Sequence, residues 1–156
     1  MVRDPEAKIM TLEQAAAWCE GLKRAGLRVV VTNGCFDLIH RGHATYLREA
    51  RLCGDALLVA INSDASVSSL KGPNRPIVAE ADRAYVLASL ECVDAVVVFN
   101  SSRATAVFEK VHPSIYVKGG DYTEETLDRE EYAALKAGGA SFRFIPFVAG
   151  FSTTKI

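Results

Sequence analysis

Unbroken apolar runs rich in β-branched residues occur at 27–31, 56–61, 95–99, 115–117 and 142–145. Continuous runs of this kind, as opposed to alternating ones, predict strands covered on both faces. Between them lie segments of helical spacing at 43–53, 81–90, 104–111 and 127–137, and another at 12–25 precedes the first strand. Thr11, followed three residues later by Gln14, has the form of a capping box for that first helix, and Gly26 is a natural stop after it. Alternating strands and helices predict a doubly wound α/β fold with a mainly parallel sheet of five strands. With no repeat, low-complexity tract or long linker, 1–156 is read as one domain, with a helical extension over 1–26 and the α/β core over 27–156. Open sheets of this kind bind ligands outside the carboxyl ends of their strands, so the loops that follow strands are where chemistry is sought. The Ser-, Gly- and Pro-containing stretch 63–78 shows no clear periodicity and follows a strand end, so it is expected to be a mobile loop covering a substrate.

Charge narrows the partners. Eighteen Lys plus Arg against nineteen Asp plus Glu leave a net charge of −1, with a pI near 6.3, which removes the electrostatic footprint of a general nucleic-acid binder. No apolar run approaches the ~20 residues that cross a bilayer. The opening Met1-Val2-Arg3-Asp4-Pro5-Glu6 lacks the charged-then-apolar order of a secretory signal, so a cytoplasmic chain without a membrane partner is expected. Cys19, Cys35, Cys53 and Cys92 contain no C-x-x-C pair, which argues for reduced, partly buried thiols over a zinc or thioredoxin-type motif.

The first long strand runs into Thr32-Asn33-Gly34-Cys35-Phe36-Asp37-Leu38-Ile39-His40-Arg41-Gly42-His43 and then an amphipathic helix. Two imidazoles therefore bracket Gly42 at a helix N-terminus. Unpaired N–H groups and the helix dipole favour an anion there, the glycine permits close approach of a phosphate, and the histidines add side-chain donors. That set suits stabilisation of charge during phosphoryl displacement and needs no protein nucleophile. A metal site from Cys35, His40 and His43 would have to unwind the helix start. No G-x-x-x-x-G-K-[ST] is present, so a P-loop enzyme is not supported.

Gly34-Cys35-Phe36-Asp37 with His40-Arg41-Gly42-His43 resembles the G-x-F-D-x-x-H-x-G-H signature of the cytidylyltransferase-like nucleotidyltransferases, relatives of the class I aminoacyl-tRNA synthetases with a Rossmann-like fold. The likeness continues through Asn62-Ser63-Asp64, residues 69–77, Ala81-Asp82-Arg83, Tyr116-Val117-Lys118-Gly119-Gly120-Asp121-Tyr122 and Gly150-Phe151-Ser152-Thr153-Thr154. Together these resemble the adenylyltransferase domain of bacterial ADP-heptose synthases. The resemblance implies an enzyme joining ATP to D-glycero-β-D-manno-heptose 1-phosphate with release of pyrophosphate, for surface glycan synthesis. It also implies magnesium carried with ATP, and a homodimer.

On that resemblance His40, His43 and Lys71 are the catalytic groups. Asn33, Gly34, Cys35, Phe36, Asp37, Gly42, Lys118, Gly119, Gly120, Asp121, Ser152, Thr153 and Thr154 are nucleotide-binding, and Asn62, Asp64, Arg75 and Arg83 are substrate-binding. Several have a plainer alternative. Lys71 is either a phosphate-neutralising cation or a solvated lysine, and Arg83 either supports a phosphate or makes an intrahelical ion pair. The 118–121 stretch either approaches a flat base or sugar, or is a tight turn. The hydroxyls of 152–154 either form a second anion cradle, with Ser152 and Thr153 on the β/γ side, or serve as an N-cap. The chain stops at Ile156, where the resembling domain continues a helix, so a neighbouring element or a longer chain would complete that cradle. Asp37 is read as orienting the His loop or approaching magnesium, and His112 as structural.

The absence of a sugar-kinase segment leads us to expect a stand-alone enzyme supplied with its sugar phosphate by other proteins. Three rivals remain: a cytidylyltransferase for glycerol 3-phosphate or phosphoethanolamine, a flavin-adenylating relative, and a non-catalytic nucleotide sensor.

Overall fold

The computed structural model describes residues 2–146. The chain runs α1 (Pro5–Lys8), β1 (Ile9–Met10), α2 (Leu12–Arg24), β2 (Val29–Gly34), α3 (Arg41–Leu52), β3 (Ala56–Asn62) and α4 (Asp64–Lys71). It continues with α5 (Glu80–Ala88), β4 (Ala95–Phe99), α6 (Thr105–Val111), β5 (Ile115–Gly119), α7 (Arg129–Ala137) and β6 (Ser141–Ile145). The strands form one sheet in the order β1-β4-β3-β2-β5-β6, and every recorded pairing is parallel.

All five expected strands are present. The sixth, β1, corrects the expected count: two residues carry no periodicity, yet Ile9 and Met10 pair with Val96 and Val97. Tertiary ties hold this short segment in place. Lys8, 6% exposed, donates from Nζ to the carbonyls of Leu90 and Val93, and Arg3 bonds Asp94 and the carbonyl of Glu91. The extension is therefore helix, strand and helix. The Thr11 and Gln14 capping box forms in both directions, and Gly26 takes φ +81°, a backbone state that excludes most side chains.

The apolar residues of the strands divide between two cores. One gathers Val29, Val31, Leu58, Ala60, Val97 and Tyr116 against α2, α6 and α7; the other gathers Val30, Leu57, Val59, Ile61, Val96 and Val117 against α3 and α5. A sheet covered on both faces in this way is the doubly wound arrangement, and its order reverses between β2 and β5. The β2–β3 ladder runs from Val29–Ala56 to Gly34–Ile61, whereas β2 and β5 pair only at Val30–Ile115 and Val31–Tyr116. Beyond those pairs the sheet forks, and the segments after β2 and β5 flank the opening.

A second correction concerns 63–78. Its first half is helix α4, which the serine run disguised, because Ser competes for backbone hydrogen bonds and lowers helix propensity. Here the competition is resolved by partners. Ser63 caps the helix by accepting from the Ser66 amide, Ser66 Oγ accepts from Asn62 Nδ2 and donates to the Ser101 carbonyl, and Val67 is fully buried. Only the part after Gly72 remains a loop.

Candidate active site

Helix α3 begins with a capping box made of two imidazoles. The Gly42 amide donates to His40 Nδ1 at 3.0 Å, and the His40 amide donates to His43 Nδ1 at 3.3 Å. The rings stack with centroids 4.1 Å apart and planes at 27°. A ring nitrogen that accepts from a backbone N–H cannot carry a proton, so both Nδ1 atoms are lone-pair acceptors and Nε2–H is the donor that each neutral ring retains. Burial, with the His40 ring and the Lys71 charge adding to it, pushes the His43 pKa down to about 4. At neutral pH His43 is therefore an uncharged hydrogen-bond donor. The Gly42 amide, expected to face a phosphate, is instead taken by His40.

Around this pair the loop is tightly built. Phe36 sits at φ +49°, 7% exposed, with its ring 5.3 Å from that of His43. Gly34 is required beneath it, since a Cβ there would lie 2.9 Å from Phe36 Cε2. Cys35 donates from Sγ to Asn62 Oδ1 at 3.7 Å. Burial raises its thiol pKa against the opposing charges of Lys71, Arg83 and Lys118. The Asn33 side chain accepts from the Tyr116 hydroxyl at 2.5 Å.

Asp37 is 4% exposed and serves the fold of the facing loop. Its carboxylate accepts from the amides of Ile77 and Val78 at 2.9–3.0 Å and from Arg75 at 3.3 Å. Burial alone would raise its pKa, but the Val78 and Ile77 amides and the Arg75 guanidinium outweigh that and hold it below the usual carboxylate range. A carboxylate with both oxygens so occupied does not fit a magnesium ligand, and no group of three or more His, Cys, Asp or Glu among the described residues is arranged to hold a metal. Asp37 thus orients the loop, and Arg75, one of its partners, is drawn into the same anchor.

Arg83 is engaged by protein groups, and its ion pair, to Asp64 of α4, is not intrahelical. It is fully buried. Its guanidinium donates to the carbonyls of Val78, Cys35 and Asn62 and to Asp64 Oδ1, all at 2.7–2.8 Å. One side chain thereby bolts together the segments after β2 and β3 and the loop before α5. Asn62, 4% exposed, is likewise turned into the Cys35–Ser66 network. Asp64 pairs with Arg83 while its amide donates to Glu80.

Lys71 is the exposed last residue of α4, and its charge acts on both His43 and Cys35. Lys118 and Gly119 close β5. The Lys118 ammonium sits 4.8 Å from the centroid of the Tyr122 ring. Gly120 adopts φ +101° and donates its amide to the Ile145 carbonyl, and Asp121 is exposed. Ser152, Thr153 and Thr154 lie outside the described residues. Exposed His112 ends α6 in the left-handed region, where its carbonyl accepts from Lys23. The four cysteines are free thiols.

Sequence reasoning missed Glu80 and Tyr122. An imidazole capping box was legible in principle as His-x-x-His at a strand-to-helix junction, by analogy with the Thr11 and Gln14 pattern.

The doubly wound sheet thus presents, at its switch point, a loop with two stacked imidazoles, one of them acted on by the charge of a lysine. The chain belongs to the cytidylyltransferase-like family, whose sequence profile matches residues 31–156. It is 47% identical over 153 residues to the bifunctional protein HldE of Geotalea uraniireducens, covering 98% of this chain and 31% of that protein. It is 46% identical over 155 residues to the protein of the same name from Koribacter versatilis, covering 97% of this chain and 31% of that protein. The chain thus spans about a third of the length of these curated relatives. Among solved structures it is similar to the lipopolysaccharide core biosynthesis protein of Thermoplasma volcanium, with a TM-score of 0.62 at 25% identity, covering 79% of this chain and 98% of that one. No helix among the described residues is long and apolar enough to cross a membrane.

Proposed function

We propose that the chain is a nucleotidyltransferase that joins ATP to a heptose 1-phosphate, giving ADP-heptose and pyrophosphate for surface glycan synthesis. One observation carries the chemistry: two stacked, Nδ1-capped imidazoles stand at the start of α3 within reach of the Lys71 charge. Imidazole Nε2–H donors and an exposed ammonium suit the dispersal of negative charge at a phosphoryl centre. The sugar phosphate oxygen attacks the α-phosphorus in line, the bond from that phosphorus to the oxygen bridging to the β-phosphorus breaks, and pyrophosphate leaves with the electron pair. The nucleophile is already ionised near neutral pH, so a His43 that stays neutral is no handicap: no proton has to be removed. Magnesium enters as part of the substrate, MgATP.

Support for the sugar comes from the HldE relatives, which match nearly the whole of this chain, and from the lipopolysaccharide core protein of similar fold. The same family likeness supports a cytoplasmic location and a homodimer, the latter to be tested by sedimentation, where about twice the 16.9 kDa chain mass is expected. The decisive assay is pyrophosphate release by the purified chain with ATP or CTP against D-glycero-β-D-manno-heptose 1-phosphate, glycerol 3-phosphate, phosphoethanolamine and flavin mononucleotide. Release with ATP and the heptose phosphate is expected. Release only with CTP, or only with another acceptor, overturns the assignment, as does nucleotide binding without release.

A further inference from the structure

Where the β2–β5 ladder ends, a tyrosine hydroxyl bridges the sheet on each face. On the face packed by α2, α6 and α7, Tyr116 of β5 donates to Asn33 of β2. On the other face the bridge comes from a helix. Tyr46 of α3 donates to the Val117 carbonyl at 3.1 Å, which leaves its oxygen to accept from the Thr32 hydroxyl at 2.6 Å. Tyr46 is 8% exposed and Thr32 fully buried. A phenylalanine would fill the same apolar surroundings, so the hydroxyl is a polar group kept in a dry place, tolerable only because both of its bonds are made.

We propose that Tyr46 is a positioning residue: by pinning α3 to β2 and β5 at the fork, its hydroxyl fixes how the His43 ring stands relative to the segment that carries Lys118. Three connections make the case. Tyr46 follows His43 by three residues, so the two project from one face of α3, and a pin on one fixes the rotation of the other about the helix axis. Thr32 directly precedes Asn33 and Gly34, which begin the His loop. Val117 directly precedes Lys118. One oxygen atom therefore indexes the imidazole donors against both strands that border the crevice. Tyr116 bridges the same strands from the face opposite α3, its ring packed edge-on against Phe108 of α6, which makes it the internal control.

The proposal concerns the site read above as phosphate-binding and rests on that reading for its catalytic meaning. Its test has two readouts. In Tyr46→Phe, turnover in the pyrophosphate-release assay is expected to fall about 10- to 100-fold with the KM for ATP changing much less, the pattern of donors displaced from the reacting centre. NMR titration of the histidine ring signals reads the geometry without catalysis. His43, packed on His40 and Phe36 and acted on by the Lys71 charge, is expected to titrate near 4 in the parent and to move up toward the ordinary histidine range once α3 can turn it out. Tyr116→Phe is expected to leave that titration in place. Should Tyr46→Phe fail to fold, Tyr46→Phe with Thr32→Val removes the hydroxyl and its partner together and is read in the same way. An unmoved His43 titration in a folded variant overturns the proposal, as does an equal shift in Tyr116→Phe. A moved titration with unchanged turnover leaves the pin standing and refutes instead the role of His43 as a phosphate donor.

Discussion

Replacing Arg83 with methionine is expected to destabilise the protein severely while leaving the apolar packing of α5 filled. The change deserts the Asn62 carbonyl in a buried position and those of Val78 and Cys35 in partly buried ones. A buried acceptor left without a partner costs roughly 1–3 kcal/mol, with partly buried ones toward the lower limit. The ion pair to Asp64 adds little, because that carboxylate is 42% exposed and exposed pairs contribute about 0–1 kcal/mol. A loss of about 3–5 kcal/mol follows, in the range measured when one partner is removed from a buried charged network. Against a typical total of about 5–15 kcal/mol this is a large share. With a urea slope of about 2 kcal/mol/M, the unfolding midpoint moves down by about 2 M. Arg83→Lys is expected to recover only part of the loss, since an ammonium cannot reproduce the planar fork. Urea titration followed by circular dichroism gives the midpoint directly. A shift below about 0.5 M would refute the view that this guanidinium holds the three segments together.

Lys71→Ala, at an exposed helix end, is expected to change stability by less than about 0.5 kcal/mol but to lower pyrophosphate release about 100-fold or more; full turnover would remove Lys71 from the site. Gly34→Ala drives a Cβ to 2.9 Å from the buried Phe36 ring, so calorimetry should find a loss of about 1–3 kcal/mol, with reduced turnover because that ring packs on His43; an unchanged melting temperature would contradict this. His43 links stability to pH. Its folded pKa of about 4 lies below the unfolded value near 6.5, so between these the unfolded chain binds more protons, and stability is full above about pH 6.5 and falls as pH drops toward 4. The contribution is roughly 1–3 kcal/mol, and a His43→Asn variant should flatten the curve in that window; an identical slope in both proteins would show that the ring is solvated.

The parts of the fold that sequence reveals are those written in long patterns. Val29–Val31 and Ala56–Ile61 announce doubly covered strands because each is uninterrupted by polar residues, and the Thr11–Gln14 cap is local chemistry at fixed spacing. Ile9–Met10 is too short for any period, and its place is set by Lys8 and Arg3 reaching residues more than 80 positions away. Helix α4 runs against its own serine propensity because Asn62 and Ser101 satisfy Ser66. At the site, residue types at the His loop identify phosphate chemistry, but the division of labour is hidden. Arg83 and Asp37 look like ligand-facing charges in one dimension, and only burial shows that both are spent on backbone groups. Tyr46 carries no signal at all, since a tyrosine in an amphipathic helix reads as core.

The two-residue strand at the margin of the sheet bears on how unspecific strand-to-strand association is avoided. Trimming the chain to begin at the first long strand would strip Ile9 and Met10 from Val96 and Val97, baring a flat row of unpaired amide and carbonyl groups along an apolar strand. Solubility would fail before chemistry did, with association spreading strand against strand from that margin. The opening residues, remote from the phosphate site in sequence, thus act as a selvedge that stops the weave from continuing into a neighbour.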